Sequence, residues 1–196
     1  WRSDNINELY WTVDGTTWSG PLYAVETNTL LRSLLIWDNR LYIGKDDGLY
    51  VAQDGRVNQL FDFSFARDPN NFRWMRVWQG AIYFPIGSGL YRLIGGTTLQ
   101  SVGPNKGAAG AVELATLGIT RSEGYSFKGL ASGRTGQVVD LAPTESFLYG
   151  AIDAGANTSQ VVVFNGVGWH NMVEGAAANN AIQALFYTAA LTAAGS

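Results

Sequence analysis

The chain has 196 residues, 46% of them hydrophobic and 15% charged, with a net charge of −3. That balance supports a sizeable core and argues against the basic face that a general nucleic-acid binder carries. Zero cysteines exclude disulfides and thiolate metal sites, and no apolar stretch approaches the roughly 18 residues of a membrane span.

The 24 glycines and the 13% aromatic content favour strands and tight turns over helices. The chain begins at Trp1 with no signal-peptide pattern after it, so it reads as a segment of something longer. Its opening, Glu8-Leu9-Tyr10-Trp11-Thr12-Val13-Asp14-Gly15-Thr16-Thr17-Trp18, matches the second half of a unit that recurs downstream. In the first full copy the predicted strands are Leu34 to Trp37, Arg40 to Gly44, Gly48 to Ala52 and Val57 to Phe61. These are short apolar runs bounded by Gly, Asn and Asp.

The stretch from Trp37 to Tyr50 aligns without a gap on Trp78 to Tyr91, at an offset of 41 residues. Trp, aliphatic-Tyr and Gly-Leu-Tyr recur in register. A third copy holds Phe147-Leu148-Tyr149 and then Val161 to Trp169, and Ile182 to Tyr187 supplies a first half only. Asp14-Gly15, Asp54-Gly55, Gly95-Gly96 and Asn165-Gly166 occupy one place in the unit and suit tight turns with positive φ.

A period of this length predicts an all-β protein, a β-propeller of four-stranded antiparallel blades that share cores with their neighbours. A flat sandwich is the competitor, but it does not predict a gapless repeat. The whole of 1–196 reads as one domain, with units at 30–63, 73–104 and 135–174 and an insertion at 105–134. The partial units at 7–19 and 180–192 are complementary. They predict a four-bladed ring closed by pairing of 182–191 with 8–13, or else an arc of a larger propeller.

The aliphatic-Tyr, Gly-Leu-Tyr and Asp-Gly-x-x-Trp spacing resembles the blade repeats of two-component-regulator-type propellers. Leu148-Tyr149-Gly150-Ala151-Ile152-Asp153 and Asn165-Gly166-x-x-Trp169-His170 are similar to repeats in phage virion or tail-associated proteins. The second resemblance implies a virion or extracellular setting without implying an activity.

No residue set qualifies as catalytic, cofactor-binding or metal-binding. His170 is the sole histidine and reads as a polar residue on an outer strand, so a His-activated nucleophile and a His/Cys zinc site are both unsupported. Asp46-Asp47, Asp62, Asp68, Glu113, Glu123 and Asp153 are scattered over loops, and none forms an evident acid pair. Asp46, Asp47 and the stretch Asp153 to Asn157 offer oxygens to calcium, but without EF-hand spacing.

Thr12 to Trp18 approximates an Asp-box, a structural turn of propellers remote from chemistry, and lacks the residue between Asp and Gly. Trp37 and Trp78 are repeat-equivalent, as are Trp18 and Trp169, which favours packing; Trp11 and Trp74 are freer to meet a ligand.

Strand polarity places the turns after the first and third strands of each unit on one side, and these are uniformly tight. The long connections 62–73, 105–134 and 152–159 fall on the other. Length beyond what a connection needs points to a contact surface. The candidate contact residues are Asp68, Asn70, Asn71, Trp74, Tyr125, Asp153 and Asn157. The expected function is a non-enzymatic structural or interaction protein with protein subunits as partners. A carbohydrate-binding propeller with glycan partners is the alternative, ahead of a glycoside-processing enzyme.

Overall fold

A computed structural model describes residues 2–3, 8–23, 30–61, 66–87, 89–103, 137–153 and 159–174. These form antiparallel strands and, among the described residues, no helix. The first sheet holds β1 (Arg2–Ser3), β2 (Glu8–Trp11) and β3 (Ser19–Tyr23). The second holds β4 (Leu31–Trp37), β5 (Arg40–Lys45), β6 (Gly48–Gln53) and β7 (Arg56–Gln59). β8 (Arg76–Trp78), β9 (Ala81–Ile86), β10 (Gly89–Ile94) and β11 (Thr98–Ser101) make the third. β12 (Gln137–Pro143), β13 (Leu148–Asp153), β14 (Ser159–Phe164) and β15 (Trp169–Glu174) make the fourth. Within each sheet every strand pairs with its neighbour in sequence.

The repeat survives at the level of side chains. Trp37 lies 6.1 Å from Tyr42 between ring centroids, and Trp78 lies 5.7 Å from Tyr83 at the equivalent place. Leu49 and Leu90, both fully buried, are a second such pair. Gly15, Gly55, Gly96 and Gly166 all adopt positive φ, as the dipeptide pattern predicts. At Asp54-Gly55 both central residues do so, with φ of 53° and 74°, which matches the right-handed twist of the flanking strands.

Successive sheets pack face to face in chain order. Leu9 of the first sheet meets Leu41, Ile43, Tyr50 and Ala52 of the second. Tyr42 and Leu49 meet Ile82, Phe84, Tyr91 and Leu93 of the third. Trp78, Tyr83 and Leu90 then pack on Leu141, Leu148, Val162 and Phe164 of the fourth. At the last junction the two first strands lie beside each other. The Arg76 guanidinium donates to the Leu141 carbonyl at 3.1 Å, and the Trp78 indole N–H donates to the Thr144 carbonyl at 2.9 Å. The sheets form an open stack of layers, with no closure among the described residues.

Arg2 pairs with Tyr10 and Ser3 with Leu9, while Leu22 pairs with Leu9 from the other side. A strand has two edges, and β1 and β3 take both edges of β2 at Leu9. The partner expected for 8–13, segment 182–191, lies outside the described residues, as does the insertion at 105–134.

Candidate functional site

The connection from β7 to β8 carries four of the candidate contact residues, and its local chemistry explains its shape. Asp68 accepts the main-chain N–H of Asn70 on its carboxylate at 2.7 Å and that of Asn71 on its carbonyl at 3.0 Å. This turn drives Asn70 and Asn71 inward. The Asn70 side-chain amide donates to the carbonyls of Gly87 at 2.8 Å and Val138 at 3.3 Å. The Asn71 amide donates to the carbonyls of Asp46 at 2.6 Å and Ala66 at 2.7 Å, and its oxygen accepts the N–H of Gly87 at 2.8 Å.

Phe72 follows with φ of 54° and donates its N–H to the Pro85 carbonyl at 2.8 Å. Its side chain fills the gap left by Gly44, where an added Cβ would lie 2.5 Å from the Phe72 Cβ. Residues 70–72 are thus a wedge that joins sheets, and Asn70 and Asn71 are buried. They do not lie on an exposed surface: their polar atoms are committed to the main chain of residues distant in sequence.

Around the wedge the remaining candidates separate. Asp68 and Trp74 are half-buried, with the Arg73 guanidinium 4.9 Å from the Trp74 ring centroid. The Trp74 indole nitrogen is buried and meets no acceptor among the described residues. Asp153 is half-buried at the end of β13, in register with Gln137 and Ser159. Tyr125 and Asn157 lie outside the described residues.

The acidic pair at the β5–β6 turn is already partnered. Asp46 makes an ion pair with Arg32. Asp47, itself buried, accepts from the Tyr50 hydroxyl at 3.2 Å, and the fully buried Lys45 places its ammonium 5.1 Å from the Tyr50 ring centroid. No group of three metal-ligating side chains occurs among the described residues. The calcium expectation at Asp46 and Asp47 therefore gains no geometry. His170 is exposed on β15, with Nε2 at 3.4 Å from the Asn165 amide nitrogen.

On the opposite side, Asp14 organises the first sheet's turn. Its carboxylate accepts the main-chain N–H groups of Thr17 at 2.7 Å and Thr16 at 2.8 Å, and the Thr12 hydroxyl at 2.9 Å. These donors hold its pKa well below the usual carboxylate range. Asn165 repeats the device, accepting the N–H groups of Val167 and Gly168 at 3.0 and 2.9 Å.

The two equivalent tryptophans nevertheless differ. Trp169 is buried and donates to the Val102 carbonyl of the third sheet at 2.6 Å, whereas Trp18 is exposed. Large apolar side chains also surface on this side, at Val13, Ile36, Ile94, Phe147 and Val167. Sequence reasoning passed over them because each stands singly beside a turn.

No family model and no curated protein matches the chain. Among solved structures it is similar in fold to the extracellular domain of the hybrid two-component system BT4673 from B. thetaiotaomicron. The TM-score is 0.54 at 18% identity, over 85% of this chain and 19% of that one. Weaker likenesses, each with a TM-score of 0.35, are to a mitotic checkpoint complex chain at 12% identity, over 92% of this chain and 78% of that one, and to PorZ of Porphyromonas gingivalis at 17% identity, over 87% of this chain and 27% of that one. The chain thus spans about a fifth of the length of the BT4673 domain. The likeness is one of fold, carried by a chain whose described residues form antiparallel sheets, three of them four-stranded.

Proposed function

We propose that the chain is a non-enzymatic interaction module of the β-propeller class. It belongs to a longer extracellular protein or assembly and meets protein partners through the side that carries its long connections. The observation that carries this reading is the stack itself. The described sheets pack one on the next in chain order, and at the last junction the neighbouring first strands are tied by Arg76 and Trp78. Radial continuation of such a stack gives blades around an axis. The fold likeness to an extracellular domain supports the setting.

In this reading the first sheet is a blade whose three strands come from the N-terminal residues, so it wants one more strand beside β1. Segment 182–187 supplies it in a ring of four blades. Cysteine pairs test the ring in a chain that has no cysteine of its own. Ser3→Cys is combined in turn with Ala181→Cys, Gln183→Cys and Leu185→Cys. An intramolecular disulfide in one of the three is expected, and exclusively intermolecular crosslinks would show an arc.

The contact side is tested separately, with photo-crosslinkers at the exposed positions Arg67 and Pro69 against Asn39 and Gln79 on the turn side. Protein adducts in the native assembly should concentrate at 67 and 69. Adducts confined to 39 and 79 would overturn the assignment.

A further inference from the structure

A cleft of about 320 Å³ opens between the first and second sheets, lined by Trp11, Leu22, Ala52, Gln53, Asp54 and Gly55. Its origin is a size difference between repeats. Gly48-Leu49-Tyr50-Val51-Ala52 aligns with Gly89-Leu90-Tyr91-Arg92-Leu93, so Ala52 stands where the next unit has leucine. Leu93 is fully buried in the core between the second and third sheets and leaves no room there. At the junction before it, Ala52 leaves space.

Trp11 reaches that space because side chains alternate along β2. Leu9 points into the core with Ala52, and Trp11, two residues on, shares that face. The opposing strand β3 bulges between Leu22 and Ser19, so that β2 keeps its alternation while its partner bends away. The result has an aromatic and aliphatic floor from Trp11, Leu22 and Ala52. Its rim carries the exposed Asp54 carboxylate and Gln53 carboxamide, on the turn that joins β6 and β7.

We propose that this cleft is a saccharide-binding site for a neutral sugar ring. A pyranose has an apolar C–H face that covers an indole, and hydroxyls at its edge that donate to a carboxylate and exchange hydrogen bonds with a carboxamide. The volume falls in the range of small-molecule sites. Among the described residues no Lys, Arg or His lines the cleft, and the one charge on its lining is negative, so an acidic sugar or a phosphorylated ligand is disfavoured. The site lies on the turn side, away from the long connections. It therefore adds a ligand to the module and does not restate its protein-contact surface.

The test uses the intact chain on an array of neutral, sialylated and sulfated oligosaccharides, followed by saturation-transfer NMR with any neutral glycan retained. Ala52→Leu rebuilds the packing of the next repeat, so it fills the cleft while keeping the fold. Its expected result is an unchanged or raised denaturation midpoint with neutral-glycan affinity lowered roughly tenfold or more. Trp11→Ala should give a loss of the same order, and Asp54→Ala a smaller one. Retention of acidic glycans alone, the absence of neutral-glycan binding at millimolar concentration, or binding that Ala52→Leu leaves intact would each overturn the proposal.

Discussion

The side-chain amide of Asn71 lies 2.6 Å from the main-chain oxygen of Asp46, and this contact ties the β5–β6 turn to the segment that enters the third sheet. The same side chain serves Ala66 and Gly87, so three main-chain groups depend on it. Asn71→Leu strands them in a buried setting and should cost about 2–4 kcal/mol. Asn71→Asp, which has no donor, should lose a comparable amount. Urea denaturation at neutral pH measures both, and unchanged midpoints would show that the wedge carries no energetic weight.

Two glycines separate crowding from backbone conformation. At Gly44 an added Cβ meets Phe72 and the Ser33 hydroxyl within 3 Å, so Gly44→Ala should destabilise by about 1–3 kcal/mol. At Gly55 nothing lies within 4 Å, but φ is 74°, so Gly55→Val should cost roughly 1 kcal/mol or more through the backbone alone. A compensating Phe72→Gly, which removes the Cβ that lies 2.5 Å away, should relieve the first substitution in a double-mutant cycle and leave the second untouched. Equal relief of both would refute the distinction.

Leu49 and Leu90 test whether the repeat is energetic as well as geometric. Both are fully buried at equivalent places, so Leu49→Ala and Leu90→Ala should each cost about 2–5 kcal/mol. Thermal or urea midpoints that fall for one and not the other would break the equivalence.

Burial pushes the Tyr83 phenol up, and the hydrogen bond and charge of Arg92 only partly oppose this. A raised folded-state pKa means that the contribution is complete below the ordinary tyrosine value near 10 and is lost as pH rises past it. Stability should therefore fall in the alkaline range, and Tyr83→Phe should flatten that fall. Asp14 has the opposite sign: its lowered pKa makes a contribution present above 3.8 and lost as pH falls below it. Asp14→Asn keeps an acceptor for Thr16 and Thr17 and should remove that acid dependence. Carbon-13 carboxylate titration reads Asp14 directly.

Much of the layering is legible in the amino-acid pattern because strand and turn signals are local. Arg40 to Gly44 and Gly48 to Ala52 became β5 and β6 within one residue at each end, and the Asp54-Gly55 turn follows from the need for positive φ. Asn70 and Asn71 look like surface residues in sequence, since amides are usually solvated. Their burial depends on carbonyls supplied by Asp46, Gly87 and Val138, up to 68 residues away, and no local pattern announces such partners. β1 escaped notice because two residues, Arg2 and Ser3, carry no periodicity. The difference between Ala52 and Leu93 was visible in the repeat alignment. It becomes a cleft only once Trp11 is seen to face it.

Assembly during synthesis follows from the chain order of the sheets. Each hairpin needs only residues already made, and each new sheet finds the preceding one ready as a template, so folding can advance from the N-terminus without waiting for the whole chain. The reach of Asn70 to the Val138 carbonyl is the exception. That bond waits until the fourth sheet emerges, and it fastens the connection between the second and third sheets to the fourth only when the fourth has docked. A truncation after residue 103 should therefore leave three sheets formed but their shared wedge loosened, with faster amide exchange at Asn71 and Gly87 than at Leu49.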